Sequence, residues 1–74
     1  MNIRNPEYIK QFGLNLRRIR KEQGRTRLDV AVAAGIDETA LGKIERGEVN
    51  TTISTVEVLA RALNKHPGEL FYFK

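Results

Sequence analysis

The apolar positions of this chain recur at three- and four-residue intervals in successive stretches, each bounded by residues that start or stop a helix. Ile9, Phe12, Leu16 and Ile19 form the first stripe. Asn5 ahead of it is a capping residue, and Pro6 occupies a first helical position where its missing N–H is no loss. Gly24 lies just past the end, so a helix is predicted over 6–23. Thr26 then begins a second helix, with Asp29 placed to complete a capping box. Val30, Ala31 and Ala34 line one side, and Gly35 supplies a left-handed stop, which gives 27–34. Ile36 plugs the angle, Asp37 caps a third helix over 38–46, and Gly47 closes it. After a polar loop, Val56, Leu59, Ala60 and Leu63 mark a fourth helix over 53–63, with Val58 turned to another face. His66-Pro67 opens a final turn over 67–71 that carries Leu70 and Phe71, and His66 itself is read as a capping or solvent-facing residue.

The best-specified stretch is Thr26 to Gly47, two short helices joined by a tight turn, which is the spacing of a helix-turn-helix unit. Ala31, Ala34-Gly35-Ile36 and Ile44-Glu45-Arg46-Gly47 resemble the lambda-repressor-like (Xre or Cro-repressor type) helix-turn-helix family. The resemblance extends to both flanks, through Gly13, Leu16-Arg17, Ile19-Arg20 and Gly24 before the unit and Asn50, Thr55, Leu59-Ala60 and Ala62-Leu63 after it. It implies an all-α, compact five-helix DNA-binding domain over 1–74, with the helix-turn-helix at helices 2 and 3. It also implies an ion pair between Arg20 and Glu45 that holds the recognition helix to the first one. Two solvated charges are the alternative.

Composition narrows the picture. A chain of 74 residues makes one small domain, and the lack of cysteine excludes disulfides. A single histidine leaves no zinc site, no cofactor motif is present, and no apolar run or signal-like start suggests a membrane. A cytoplasmic, nucleoid-associated protein is the expectation. The net charge of +4 is uneven: residues 1–27 hold eight Lys/Arg against Glu7 and Glu22, whereas residues 28–74 hold five against seven acids. A polyanion should therefore meet the front of the chain. Enzymatic chemistry is not expected. Ser54 and His66 are not arranged as a nucleophile and base, and Gly42-Lys43 lacks the first Gly and the Ser/Thr of a phosphate-binding loop.

A recognition helix reads base edges from its first turn and one turn further on, here Glu38, Thr39, Ala40, Gly42 and Lys43. Lys43 suits guanine or a phosphate, Thr39 a base or a thymine methyl, and Glu38 either a cytosine amino group or its own helix dipole. Gly42, costly inside a helix, suggests a close approach to DNA or to a neighbouring helix. Phosphate contacts are expected from Arg25, Thr26 and Arg27 at the start of helix 2 and from Asn50, Thr51 and Thr52 in the later loop. The family usually has Gln where Arg27 stands and an apolar residue where Arg25 stands, so this chain adds charge at the expected clamp.

One domain of this size reads few base pairs, so specificity calls for two copies on a palindromic operator, about 34 Å apart. Val58, Phe71, Tyr72 and Phe73 are the candidate homodimer seam, with Tyr72 and Phe73 either pairing across the axis or fraying as a tail. The function expected is a sequence-specific double-stranded DNA-binding regulator, a dimeric repressor or autoregulator of phage Cro-like or restriction-modification controller type. The alternative is an antitoxin or other protein-interaction partner whose aromatic C-terminus grips a second protein.

Overall fold

The computed structural model describes residues 3–73. Four α-helices follow one another: α1 (Pro6–Glu22), α2 (Arg27–Ala34), α3 (Glu38–Glu45) and α4 (Ile53–Ala62). No strand occurs among the described residues. The fifth helix of the sequence reading is instead a 3₁₀ turn over Pro67–Phe71. Its bonds run from the Glu69 N–H to the His66 carbonyl and from the Tyr72 N–H to the Glu69 carbonyl, three residues apart, and the segment is too short to propagate an α-helix.

Local chemistry sets the helix starts. The Asn5 side chain accepts from the Tyr8 N–H at 3.0 Å. In α2 the Thr26 hydroxyl accepts from the Asp29 N–H at 3.0 Å, and the Asp29 carboxylate accepts from the Thr26 N–H at 3.1 Å, a reciprocal capping box. Thr52 caps α4 by accepting from the Thr55 N–H. Asp37, read as the cap of α3, stands at that position but makes no side-chain capping bond. Gly35, at φ 73°, makes the left-handed corner between α2 and α3.

The helices enclose one core. Leu16, Val30, Leu41, Leu59, Leu63 and Leu70 are almost wholly buried, with Phe12, Ile19, Ala31, Ile44, Val56 and Ala60 beside them. Leu70, grouped by sequence with the aromatic terminus, is a core residue because the 3₁₀ turn folds back between α4 and α1. Asn15 fixes that return: buried in α1, it donates to the Leu70 carbonyl at 2.9 Å and accepts from Arg18. At the other end of α4, the Gln23 amide donates to the Leu63 carbonyl and the Arg25 guanidinium to the Ala62 carbonyl, satisfying groups that a helix end leaves open.

Two contacts set the recognition helix against α1. Arg20 and Glu45, both more than nine-tenths buried, form a two-pronged ion pair, Nε to Oε2 at 2.7 Å and Nη2 to Oε1 at 3.0 Å. The third guanidinium nitrogen donates to the Arg25 carbonyl at 2.9 Å, so each nitrogen of the cation has a partner. Beside this pair the α1 backbone at Gly13 lies directly on the last turn of α3. A Cβ there would fall 2.6 Å from the Glu45 carbonyl oxygen and closer still to that of Ile44.

Glu45→Ala should destabilise the fold by about 3–5 kcal/mol, because it strands a buried guanidinium. Glu57→Ala, which breaks the exposed Arg61 pair on α4, should change stability by about 0.5 kcal/mol or less, and urea unfolding compares the two directly. Gly13→Ala, which forces two backbones apart, should cost about 1–3 kcal/mol in the same assay. The capping bond from Thr26 holds the Asp29 carboxyl below its ordinary range, and the His66 N–H does the same for Glu69. Both groups favour folding while ionised. Thermal stability should thus be flat above about pH 5 and fall as pH drops through the ordinary carboxylate range near 4 and below. Asp29→Asn should flatten that decline in a calorimetric pH series.

Candidate nucleic-acid interface

The outer face of α3 carries Glu38, Thr39, Ala40 and Lys43, all exposed, while Leu41, Ile44 and Glu45 point inward. The division follows from helical periodicity: the inward positions are three and four apart, so the remaining side chains stand free on one surface. Lys43 has no ion-pair partner among the described residues, and its charge is available to a ligand.

Gly42 is buried and contributes nothing to that exposed face, which corrects its reading as a base contact. Its cover is two arginine side chains. The Nη1 of Arg27 lies 2.9 Å, and that of Arg46 3.0 Å, from the place a Cβ of residue 42 would occupy. The absence of a side chain in mid-helix thus admits two guanidinium ends onto the helix surface, one from the start of α2 and one from the end of α3. Arg46 also pairs with Glu48 at 2.6 Å, whereas Arg27 makes no ion pair among the described residues. A groove of about 220 Å³ between α2 and α3 is lined by Arg27, Glu38, Thr39, Gly42 and Arg46, which joins the exposed reading positions to the two arginines.

The other expected phosphate residues divide. Thr26 stays at the exposed start of α2, its oxygen already engaged as the cap. Arg25 is turned away: its guanidinium is half-buried at the C-terminus of α4, on the Ala62 carbonyl and the Gln23 side chain. The helix-end carbonyls there are a stronger local attraction for a cation than open solvent at the start of α2. Asn50 and Thr52 are exposed, with Thr52 committed to capping, and Thr51 is half-buried at the edge of an apolar cleft with Tyr8, Phe12, Val56 and Phe71. Near this loop Arg4 donates to the Glu48 carbonyl at 3.3 Å, adding a cation that sequence reasoning missed because its partner is 44 residues away.

The aromatic terminus is only partly free. Phe71 packs at a tilt on Phe12 of α1 at a ring separation of 5.0 Å and stacks on Tyr8 at 6.4 Å, and Phe73 packs on Tyr8 at 5.1 Å. These two rings, read as part of a seam between copies, also pack within their own chain, because the 3₁₀ turn aims the segment back along α1; Phe73 is half-buried there, while Phe71 keeps 39 % exposure. Tyr72 points out at 75 % exposure, and Val58 is half-buried. No helix among the described residues is long and apolar enough to cross a membrane.

Comparison with known proteins agrees with this geometry. An uncharacterized HTH-type transcriptional regulator, y4dJ of Sinorhizobium fredii, is 38 % identical over 61 residues, covering 82 % of this chain and 79 % of its own. The restriction-modification controller protein C.AhdI from Aeromonas hydrophila superposes with a TM-score of 0.84 at 35 % identity, covering 85 % of this chain and 96 % of its own. The controller C.Esp1396I, solved as a tetramer in complex with its natural 35 base-pair operator, matches with a TM-score of 0.81 at 28 % identity, covering 86 % of this chain and 84 % of its own. Residues 16–70, most of the chain, match the family described as helix-turn-helix (HTH_3), and the protein belongs to that family.

Proposed function

We propose that this protein is a sequence-specific regulator of transcription that reads the major groove of double-stranded DNA with α3. The observation that carries the reading is the exposed row Glu38, Thr39, Ala40 and Lys43 on a helix anchored by its opposite face. Short side chains at Thr39 and Ala40, with a long cation one turn after Thr39, suit base edges in a groove about 12 Å wide. Arg27 stands beside the row and meets the phosphate backbone, with Thr26 and Asn50 on the two flanks. Such contacts fix the register of the helix without themselves carrying sequence information.

The protein acts as a homodimer on a two-fold symmetric site, in the manner of a restriction-modification controller or a small autoregulator. Support comes from the size of the reading face, which spans a few base pairs, and from the related controller that holds its operator as a tetramer. Within the candidate seam, Tyr72 is the most exposed residue available for pairing between copies, with Phe71 also exposed and Val58 half-buried. Local concentration at the cytoplasmic chromosome follows from the charge and the ligand.

Fluorescence anisotropy against the duplex upstream of the protein's own gene, with excess random competitor at two salt concentrations, tests the reading. Binding that survives competitor is expected; binding that vanishes with competitor would leave only non-specific attraction. Lys43→Ala should shift or relax base preference, with a penalty of about 1–3 kcal/mol on the best site, whereas Arg27→Ala should weaken all duplexes alike. Equal behaviour of the two variants across a panel of duplexes would defeat this division of labour.

A further inference from the structure

The arginines above α3 form a structure of their own. A cavity of about 290 Å³ between α1, α2 and α3 is lined by Arg17, Arg20, Arg27, Glu45 and Arg46. Glu45, the acid inside it, is consumed by Arg20 through both of its oxygens. Glu48 serves Arg46 from the loop side, and Glu38 borders the adjoining groove without pairing with Arg27. Arg17 and Arg27 have no carboxylate partner among the described residues. Three helices thus deliver guanidinium groups to one opening, two of them to within 3.0 Å of a single point above Gly42, with too few acids to balance them.

Like charges gathered in this way repel, and an oxyanion placed among them removes the repulsion. Guanidinium forks match phosphate oxygens in both geometry and charge. We propose that Arg17, Arg27 and Arg46 together form a seat for one phosphate group, with Gly42 as its floor. The phosphate is one of the DNA backbone, adjacent to the bases that Glu38, Thr39 and Lys43 face. This assignment rests on the DNA-binding reading above and extends it: Arg17 and Arg46 become ligand-contacting residues, and Gly42 is needed for the space it leaves, not for a contact it makes.

Salt dependence distinguishes one shared phosphate from three separate ones, because each neutralised phosphate contributes about 0.9 to the slope of log K against log salt. Arg17→Gln, Arg27→Gln and Arg46→Gln, alone and combined, alter exposed side chains, so retained folding is checked by thermal melting. Each single variant should bind the duplex about tenfold or more weakly, yet the triple variant should lose only about 0.9 in slope. A loss of about 2.7 would show three independent contacts and overturn the seat, as would an unchanged slope.

Gly42→Ala supplies a second route that leaves every charge in place. Its methyl group meets only the flexible ends of Arg27 and Arg46, so the melting temperature should hold or rise while duplex affinity falls at least severalfold. Unchanged affinity would overturn the assignment. Titration with inorganic phosphate at constant ionic strength separates the sources. Saturable millimolar binding that the triple variant abolishes, with its duplex slope intact, would assign the seat to free phosphate and refute the DNA contact. Absence of duplex binding by the parent chain would sink the regulator reading itself, whereas parental binding with an unaltered slope in the triple variant would sink only the seat.

Discussion

The buried pair of Arg20 and Glu45 is the constraint on which the arrangement depends. A charge removed from water is tolerated only when its partner and its remaining hydrogen bonds are all in place, and here they are. The guanidinium spends its three nitrogens on two carboxylate oxygens and one carbonyl, binding α1, the corner before α2 and the end of α3 at a single centre. Because such a pair is directional, it fixes the rotation of α3 about its axis as well as its distance from α1. A purely apolar contact would have held the distance and left the rotation looser, and rotation decides which side chains face outward.

Around that centre, charge is sorted by whether it has a partner. Arg20 and Arg25 work inside the protein, one on a carboxylate and one on a helix end. Lys43 on the outer face of α3, and Arg17 and Arg27 at the cavity between α1, α2 and α3, remain without ion-pair partners among the described residues. Of the eight cations in the first 27 residues, Arg20 and Arg25 thus fasten the interior and Arg17 and Arg27 line the cavity beside α3, while Arg18 pairs with Glu22 on the exposed surface of α1.

What was legible in the sequence was mostly local. Asn5 and Thr26 with Asp29 act on groups three residues away, so their chemistry is visible in the order of residues, whereas Thr52, read as a phosphate contact, is committed to capping α4. The apolar stripes are equally local, since helical periodicity alone decides which side is inward. Features that join distant segments were not. Asn15 meets the Leu70 carbonyl 55 residues on, and Arg25 meets Ala62 across 37 residues, and neither residue type announces such a partner. Gly42 suggested a close approach, but its covering arginines come from α2 and from one turn further along α3, which no spacing rule indicates. Phe71 and Phe73 look like an exposed terminus until the 3₁₀ turn reverses the chain onto Tyr8 and Phe12.

The contact at Gly13 has a consequence for how such a protein changes over time. Since α3 rests on α1 through backbone and through its inner side chains, nothing on its outer row takes part in holding it. Residues 38, 39, 40 and 43 are therefore free to be exchanged by mutation with little effect on the scaffold. A lineage carrying this domain is able to acquire a new target sequence in a few substitutions, without first accumulating stability to spend on them.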